Sequence, residues 1–493
     1  MQQAGQGMAR LLVKDYLELR SIPAHLRVLG LIGKGNNAGD ALIACGQLLA
    51  DFPRASVDLI LSSPKEALRP LALRALEAIE GRVRWQVLPA EADVGAITKQ
   101  LAELGGREGY HLCLDGLLGM SFAPPLRAPL EPLIAAVNAY AAIDLRAAVD
   151  LPSGQGDSGA GSCFRADFTY ATGIPKKPLF AGDGLSGRLR YLDLGFYQHA
   201  AAESLPRHES VLTDSVLDPL RRLRPAGVDK RSFGHLFIVG GSVQMPGALL
   251  MSVQAAVRSG VGRVTAFAPA SMTKVLAAQV PEAMWVAWPE TANGTLSPRA
   301  VRLLLDRAAE ASCVVVGPGM ERDRNTEMLA QSIVTEMPCP VLLDADALRV
   351  RVMEAAQKRK GSFGPVVTTP HMGEFMRMAK LSEANYANST LLDFCNSYSV
   401  MTVLKGAQTR VCDGQRILYN ISGGPVLSRG GSGDILSGLI GSLIAQDSSD
   451  VLLAVARGVV WHGLAAENLA RTRGQVAVRT TELLDSLSSA LRT

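Results

Sequence analysis

The sequence predicts two α/β domains, the first built on a parallel sheet with helices on both faces. Three observations carry this. The 493 residues exceed what a single hydrophobic core grows to, so two domains are expected. Short apolar runs alternate with helical patterns, which is the rhythm of βα units. The apolar runs end in glycine-rich or acidic turns, and sheets of this kind bind ligands beyond the carboxyl ends of their strands.

In order, residues 1–12 read as a helix and Arg27–Ile32 as a buried strand. Gly33-Lys-Gly-Asn-Asn-Ala-Gly-Asp40 follows, then a helical pattern through Leu49. The turn formally satisfies GxGxx(G/A), the dinucleotide fingerprint. Yet Asn36, Asn37 and Asp40 put amides and a carboxylate where a pyrophosphate should rest. Those side chains suit polar ring or ribose groups, with an Asn carbonyl left for a cation, or they cap the helix. Strands are expected at Val57–Leu61, Leu112–Leu114, Ala147–Val149 and Arg188–Leu192. Two of these runs end on carboxylates, Asp115 before Gly-Leu-Leu-Gly119 and Asp150 before Leu-Pro-Ser153-Gly154. A single such aspartate is a turn former. Two of them with Asp40 on one sheet edge point to a site. Hard oxygens on Asn37, Asp115 and Ser153 suit a cation, and Asp150 suits acid or base work.

Leu205–Asp229, rich in Pro, Arg and His, reads as the inter-domain connection. The expected layout is therefore a first domain at 1–205, a linker at 206–226 and a second domain at 227–493. In the second domain Gly234–Gly241, Arg263–Phe267, Cys313–Val316, Val341–Asp344, Val366–Thr369 and Thr402–Leu404 read as strands, with a helix at Met245–Ser259. The polar loops that follow hold Gly317-Pro-Gly319, Asp344 and Asp346, His371 and Lys405-Gly-Ala-Gln-Thr409. Taken singly, His371 reads as structural, the aspartates as caps and the lysine as solvated. No GxxxxGK[ST] motif occurs, so a nucleotide would not be bound in a P-loop.

The organising stretch is Ser428-Arg-Gly-Gly-Ser-Gly-Asp434, which runs into an apolar helical pattern from Ile435 to Ile444. Glycines ahead of a helix let backbone N–H groups converge at the positive end of the dipole, where a phosphoryl group in flight is stabilised. Asp434 repels such an anion, but it suits taking a proton from a hydroxyl that attacks phosphorus. The bland alternative is a glycine-rich turn with an acidic first-turn residue.

Composition excludes several classes. Lys+Arg 50 against Asp+Glu 46 leaves +4, too little to imply nucleic acid, and aromatics at 5% offer no stacking platform. The seven cysteines form no CxxC or CxxxH pair, so neither zinc nor a disulfide framework is suggested and a reducing compartment fits. With no leader and no apolar run of about 18 residues, a cytoplasmic protein without membrane partners is expected.

In combination these motifs are specific. Gly33-Lys-Gly-Asn-Asn-Ala-Gly-Asp40, Asp115-Gly-Leu-Leu-Gly and Asp150-Leu-Pro-Ser-Gly resemble those of the NAD(P)H-hydrate epimerase family. Val316-Gly-Pro-Gly, Leu343-Asp-Ala-Asp-Ala-Leu, Thr369-Pro-His-Met-Gly-Glu, Leu404-Lys-Gly and Gly431-Ser-Gly-Asp-Ile-Leu-Ser-Gly resemble the nucleotide-dependent NAD(P)H-hydrate dehydratases of the ribokinase-like superfamily. Fused in this order they resemble the bifunctional NAD(P)H-hydrate repair enzymes. The resemblance implies a Rossmann-like three-layer α/β/α N-terminal domain and a ribokinase-like α/β C-terminal domain. It implies epimerisation of R- and S-NAD(P)HX by the first and ADP- or ATP-dependent dehydration of the S form by the second.

By resemblance, Asn36, Asn37, Ala38, Gly39, Asp40, the loop Gly119-Met120-Ser121-Phe122-Ala123-Pro124-Pro125 and Asp150 hold the hydrate in the epimerase. Potassium takes Asn37, Asp115 and Ser153. In the dehydratase Ala248, Gly319 and His371 line the hydrate. Lys405, Gly406, Ala407, Gln408, Thr409 and Gly433 hold the nucleotide with magnesium, and Asp434 is the catalytic base. Partners are thus NADHX or NADPHX with ADP or ATP, in an expected homo-oligomer. The chain starts directly at the family's first helix. It departs from the family at Ala38 and Ala41, which replace glycines, and at Asp229-Lys-Arg231, Arg349 and Met372. The alternative reading is a small-molecule kinase of the ribokinase-like fold beside a non-catalytic epimerase-like scaffold.

Overall fold

The structure is a computed structural model, and it describes all residues except 121, 123, 124, 157–161, 183, 203, 206, 386 and 493. The chain forms two compact units, Met1–Leu205 and Pro206–Thr493. Each is α/β, as expected.

In the first unit the strands are β1 (Arg27–Ile32), β2 (Ser56–Leu61), β3 (Arg84–Val87), β4 (Tyr110–Gly116), β5 (Ile143–Val149), β6 (Phe168–Thr172) and β7 (Arg188–Leu192). Among the described residues they form one sheet in the order β3-β2-β1-β4-β5-β6-β7, parallel throughout. Side chains alternate across a strand, so Val28 and Ile32 enter one core while Leu29 and Leu31 enter the other. Burial on both faces explains why β1 reads as an unbroken apolar run. The order reverses between β1 and β4, and the carboxyl ends of those two strands carry Gly33 and Asp115. Gly33 is required there, since a Cβ would lie 1.8 Å from the Leu117 carbonyl oxygen.

One expectation changes at this turn. The helix begins at Asn36 and runs to Asp51, so Asn36 and Asn37 lie inside it rather than in a turn ahead of it, and Asp40 is on its second turn. Ala38 and Ala41 are buried helical residues without positive φ, so the family's glycines are not needed for backbone freedom, and alanine favours the helix.

In the second unit the strands are β8 (Glu209–Leu212), β9 (His235–Val239), β10 (Arg263–Pro269), β11 (Met284–Trp288), β12 (Cys313–Val316), β13 (Val341–Leu343), β14 (Val366–Thr368), β15 (Val400–Leu404), β16 (Thr409–Cys412) and β17 (Ile417–Asn420). Their order is β11-β10-β9-β12-β13-β14-β15-β16-β17-β8, with antiparallel pairing at β15–β16 and β16–β17. The segment read as a linker contributes β8, which pairs with β17 at the sheet edge.

The helix Ser432–Gln446 runs through this core, with Ile435–Ala445 buried throughout. Gly438 and Gly441 permit the contact: a Cβ would lie 2.2 Å from the Ser252 carbonyl oxygen at the first and 2.3 Å from Val315 at the second. A helix apolar on all sides must be enclosed. It starts at Ser432, three residues before the apolar pattern, so Gly433 and Asp434 occupy its first turn.

Candidate functional site

Each unit gathers polar side chains at the carboxyl ends of its strands. In the first, Asn37 is on the opening turn of its helix, and its amide donates to the carbonyls of Leu118 (2.9 Å) and Val149 (2.8 Å). The Ser153 hydroxyl donates to Asp115 Oδ1 at 2.6 Å and accepts from the Leu118 N–H at 2.9 Å. Asp115 Oδ2 accepts from the Ser153 N–H at 2.7 Å. Burial pushes the Asp115 carboxyl up to about 6, against the hydrogen bonds from Ser153. Asp115 and Ser153 thus bond to each other, and Leu118 links them to Asn37, donating its N–H to Ser153 and accepting from Asn37 at its carbonyl. Gly119 belongs beside them, because a Cβ on it would lie 3.0 Å from Asn37 Oδ1.

Asp150 follows β5 at φ +68°, a left-handed conformation that costs a non-glycine residue strain. Its Oδ1 accepts from the Thr172 N–H (3.1 Å), the Thr172 hydroxyl (2.8 Å) and the Lys176 ammonium. Asp40, buried on its helix, leaves Oδ1 without a hydrogen-bond partner. Burial raises its carboxyl to about 6, with Asp150 adding to the rise and Lys176 opposing it. Of the remaining expected residues, Asn36, Met120 and Pro125 are exposed, and Phe122 packs against the apolar core. Ser121, Ala123 and Pro124 lie outside the described residues.

In the second unit the first turn of Ser432–Gln446 presents the N–H groups of Gly433 and Asp434 with no helical carbonyl behind them. Gly431 caps the helix at φ +92°, and the Ser432 hydroxyl donates to the Leu427 carbonyl at 2.6 Å. The Lys405 ammonium reaches this turn, since a Cβ on Gly433 would lie 3.2 Å from its Nζ. It also lies 3.2 Å from Asp344 Oδ1, which accepts from the Thr369 hydroxyl at 2.6 Å. Burial alone would lower the lysine, but Asp344, then Glu374 and Asp434, outweigh it and hold the ammonium above the usual range. Burial, then the charge of Asp344, pushes Asp434 up to about 7 against the pull of Lys405. A carboxyl poised there ionises close to neutrality, as a general base requires.

The helix Pro246–Arg258 holds the other wall. Ser252 donates to the Asp434 carbonyl at 2.7 Å, and Ala248, one turn earlier, shares that face. Gly319, at φ +66°, packs on Ala248, where a Cβ would come within 3.0 Å. His371 caps the helix Met372–Ala379: its Nδ1 accepts from the N–H of Gly373 (3.0 Å) and of Glu374 (3.4 Å). That leaves the proton of the neutral ring on Nε2, which lies 3.4 Å from Glu374 Oε1. A β-bridge joins His371 to Lys405. Gly406 and Ala407 are exposed at the turn between β15 and β16, while Thr409 bonds back to Gly406.

A family model described as NAD(P)H-hydrate dehydratase matches residues 236–489, and one described as YjeF-related protein N-terminus matches residues 1–178. The bifunctional NAD(P)H-hydrate repair enzyme of Moorella thermoacetica is 32% identical over 482 residues, covering 95% of this chain and 88% of that one. Its counterpart in Salinibacter ruber is 32% identical over 511 residues, covering 99% and 90%. The chain belongs to the bifunctional NAD(P)H-hydrate repair enzyme family. An ADP/ATP-dependent NAD(P)H-hydrate dehydratase from Bacillus subtilis, crystallised with ATP and magnesium, is 26% identical with a TM-score of 0.48 and covers 57% of this chain and 98% of that one.

Within this repair-enzyme chain, two residues that sequence reasoning passed over sit at the sites. Lys176 carries no local sign of a role, because nothing in the sequence ties it to Asp150, 26 residues away. Asp344 was read as a cap, yet its side chain makes no capping bond and instead meets Lys405. The charge beside Lys405, 61 residues off in sequence, is what the reading of a solvated lysine lacked.

Proposed function

We propose that the chain repairs hydrated nicotinamide cofactors in two steps, epimerising R- and S-NAD(P)HX in residues 1–205 and dehydrating the S form in the second unit. The observation that carries the reading is Asp434, a carboxyl raised to about 7 at the mouth of a glycine-lined helix N-terminus with Lys405 beside it. Hydroxide is a poor leaving group and phosphate a good one. Asp434 takes the proton of the ring hydroxyl as its oxygen attacks the terminal phosphorus of ADP or ATP. The N–H groups of Gly433 and Asp434, with Lys405, stabilise the charge on the transferring group. The carbon–oxygen bond then breaks, its electron pair leaving with phosphate, and loss of a proton from the neighbouring carbon restores the ring double bond. Magnesium bound with the nucleotide supplies further charge neutralisation. Ala248, Gly319 and His371 hold the hydrate, and the Lys405–Thr409 turn holds the nucleotide.

In the first unit Asn37, Asp115 and Ser153 fit a potassium ion: Asp115 and Ser153 are hydrogen-bonded to each other, and Leu118 links them to Asn37, whose Oδ1 remains a hard oxygen donor. Potassium there supplies a fixed positive charge for the polar end of the hydrate. Asp150 acts on the ring hydroxyl. A kinase of the same fold would release a phosphorylated product, whereas this reaction releases phosphate and a dihydronicotinamide.

The test follows dihydronicotinamide absorbance on mixed R and S NADHX with ADP and then ATP. Recovery of the whole mixture faster than spontaneous epimerisation is expected. Recovery confined to the S fraction would remove the epimerase half, and none with either nucleotide would favour the kinase. Asp434→Asn should keep nucleotide binding and lose dehydration by about 10²–10⁴-fold, the usual range for a positioned base.

A further inference from the structure

Three donors converge on one oxygen of Asp150, and the third is a largely covered lysine. Thr172 supplies its N–H and its hydroxyl to Oδ1, and the Lys176 ammonium joins them there, the side chains of Lys176 and Asp150 being 12% and 9% exposed. Lys176 also donates to the Thr172 carbonyl at 3.2 Å, which locks the ammonium in place. None of these bonds uses Oδ2. Asp40 stands within electrostatic reach of both groups, its Oδ1 buried and unpartnered.

A buried carboxylate paired with an ammonium, beside a second carboxyl kept from water, is a division into base and acid. Water adding across the enamine double bond of a dihydronicotinamide places its oxygen on the carbon next to the ring nitrogen, making a hemiaminal. Inverting that carbon needs one group to accept the hydroxyl proton and another to give a proton as the carbon–nitrogen bond opens.

We propose that Lys176 is a positioning residue for epimerisation, pairing with Asp150 so that Oδ2 serves as base while Asp40 serves as the acid. The inference rests on the epimerase reading of the first unit. Asp150 Oδ2 takes the hydroxyl proton and the carbon–nitrogen bond breaks, its electron pair moving to nitrogen, which receives the proton of Asp40. The resulting aldehyde turns about its carbon–carbon bond. The same steps in reverse close the ring on the other face and return both protons, with nothing oxidised or reduced.

The pH dependence follows from the neighbours of Asp40. Burial raises it to about 6, the Met1 ammonium and Lys176 lower it, and Asp150 raises it. Epimerisation needs Asp40 protonated, so the rate falls as pH climbs through that value. Removing Lys176 removes one of the two cations that pull Asp40 down, and the falling limb moves to higher pH.

The test uses the full chain without nucleotide, which silences dehydration, and follows interconversion of purified R and S NADHX by chromatography across pH. Lys176→Met is expected to lower kcat by about 10–100-fold, at the low end of acid–base contributions, to change KM little and to shift the falling limb upward. Lys176→Arg is expected to restore most of the rate. Asp40→Asn is expected to lose about 10²-fold and the falling limb with it. Thermal unfolding of the first unit, followed by calorimetry on the same samples and compared with wild type, reports that it is folded. Wild-type protein no faster than the spontaneous reaction would overturn the epimerase reading. An active wild type with a Lys176→Met variant of equal rate, or of lower rate but unmoved limb, would overturn the role of Lys176 alone.

Discussion

Asp434→Asn is expected to make the second unit more stable while abolishing its chemistry. Folding takes the Asp434 carboxyl from an ordinary 3.8 to about 7, burial being the largest cause. The sign follows from proton uptake: between those values the folded chain keeps a proton that the unfolded chain has released. The stability from this group is therefore full below about pH 4 and lost as pH rises through about 7. The shift spans about three pH units, worth about 4 kcal/mol at ~1.4 kcal/mol each. Partial exposure to solvent screens this to about 2 kcal/mol. Asparagine never ionises, so above neutrality the variant escapes the cost. In a unit this large each kcal/mol moves the midpoint by about 2–4 °C, so a gain of about 4–8 °C is expected at about pH 8 and almost none at about pH 4. Scanning calorimetry of wild type and variant at both pH values measures it. A variant no more stable at about pH 8, or equally stabilised at both, would refute the claim that Asp434 is held at energetic cost.

Dehydration kcat/KM should rise with pH through about 7 as Asp434 loses its proton, and a profile flat from about pH 5 to 9 would remove it as the base. Lys405→Met strands the buried Asp344 carboxylate and should destabilise the second unit by about 3–5 kcal/mol; adding Asp344→Asn should recover part of that loss in denaturant unfolding. Gly33→Ala puts a Cβ 1.8 Å from backbone that has no room to yield, so epimerisation should be lost while dehydration in the same chain persists.

The central strands were legible because each is buried on both faces and prints an apolar run: β1 and β12 fall where the sequence put them. The edge strand β7 was placed as well, but the other edges were not. Arg84–Val87 keeps half-exposed Arg, Trp and Gln side chains, and Glu209–Leu212 hides in a stretch whose Pro, Arg and His content resembles a connector. Residues 409–412 and 417–420 extend the sheet antiparallel beyond the α/β rhythm, so the alternation that revealed the other strands gave no sign of them. The sites divide similarly. Glycine-rich turns announce Asp40 and Asp434, because glycines before a helix have a local cause. Lys176 and Asp344 acquire meaning only through partners that the sheet brings to them. The helix starts at Asn36 and Ser432 were missed for a simpler reason: their first turns face the site rather than the core, so they carry no apolar pattern.

Enclosure of Ser432–Gln446 on every side has a consequence for how the dehydratase fails on heating. Active sites assembled from surface lids lose activity at temperatures where the fold still stands, because the lid frays first. Here the anion cradle is the tip of a beam set through the middle of the building. Its N–H groups do not loosen unless Gly438 and Gly441 separate from Ser252 and Val315, and that separation is the melting of the core itself. Thermal inactivation of dehydration and unfolding of the second unit should therefore trace one curve.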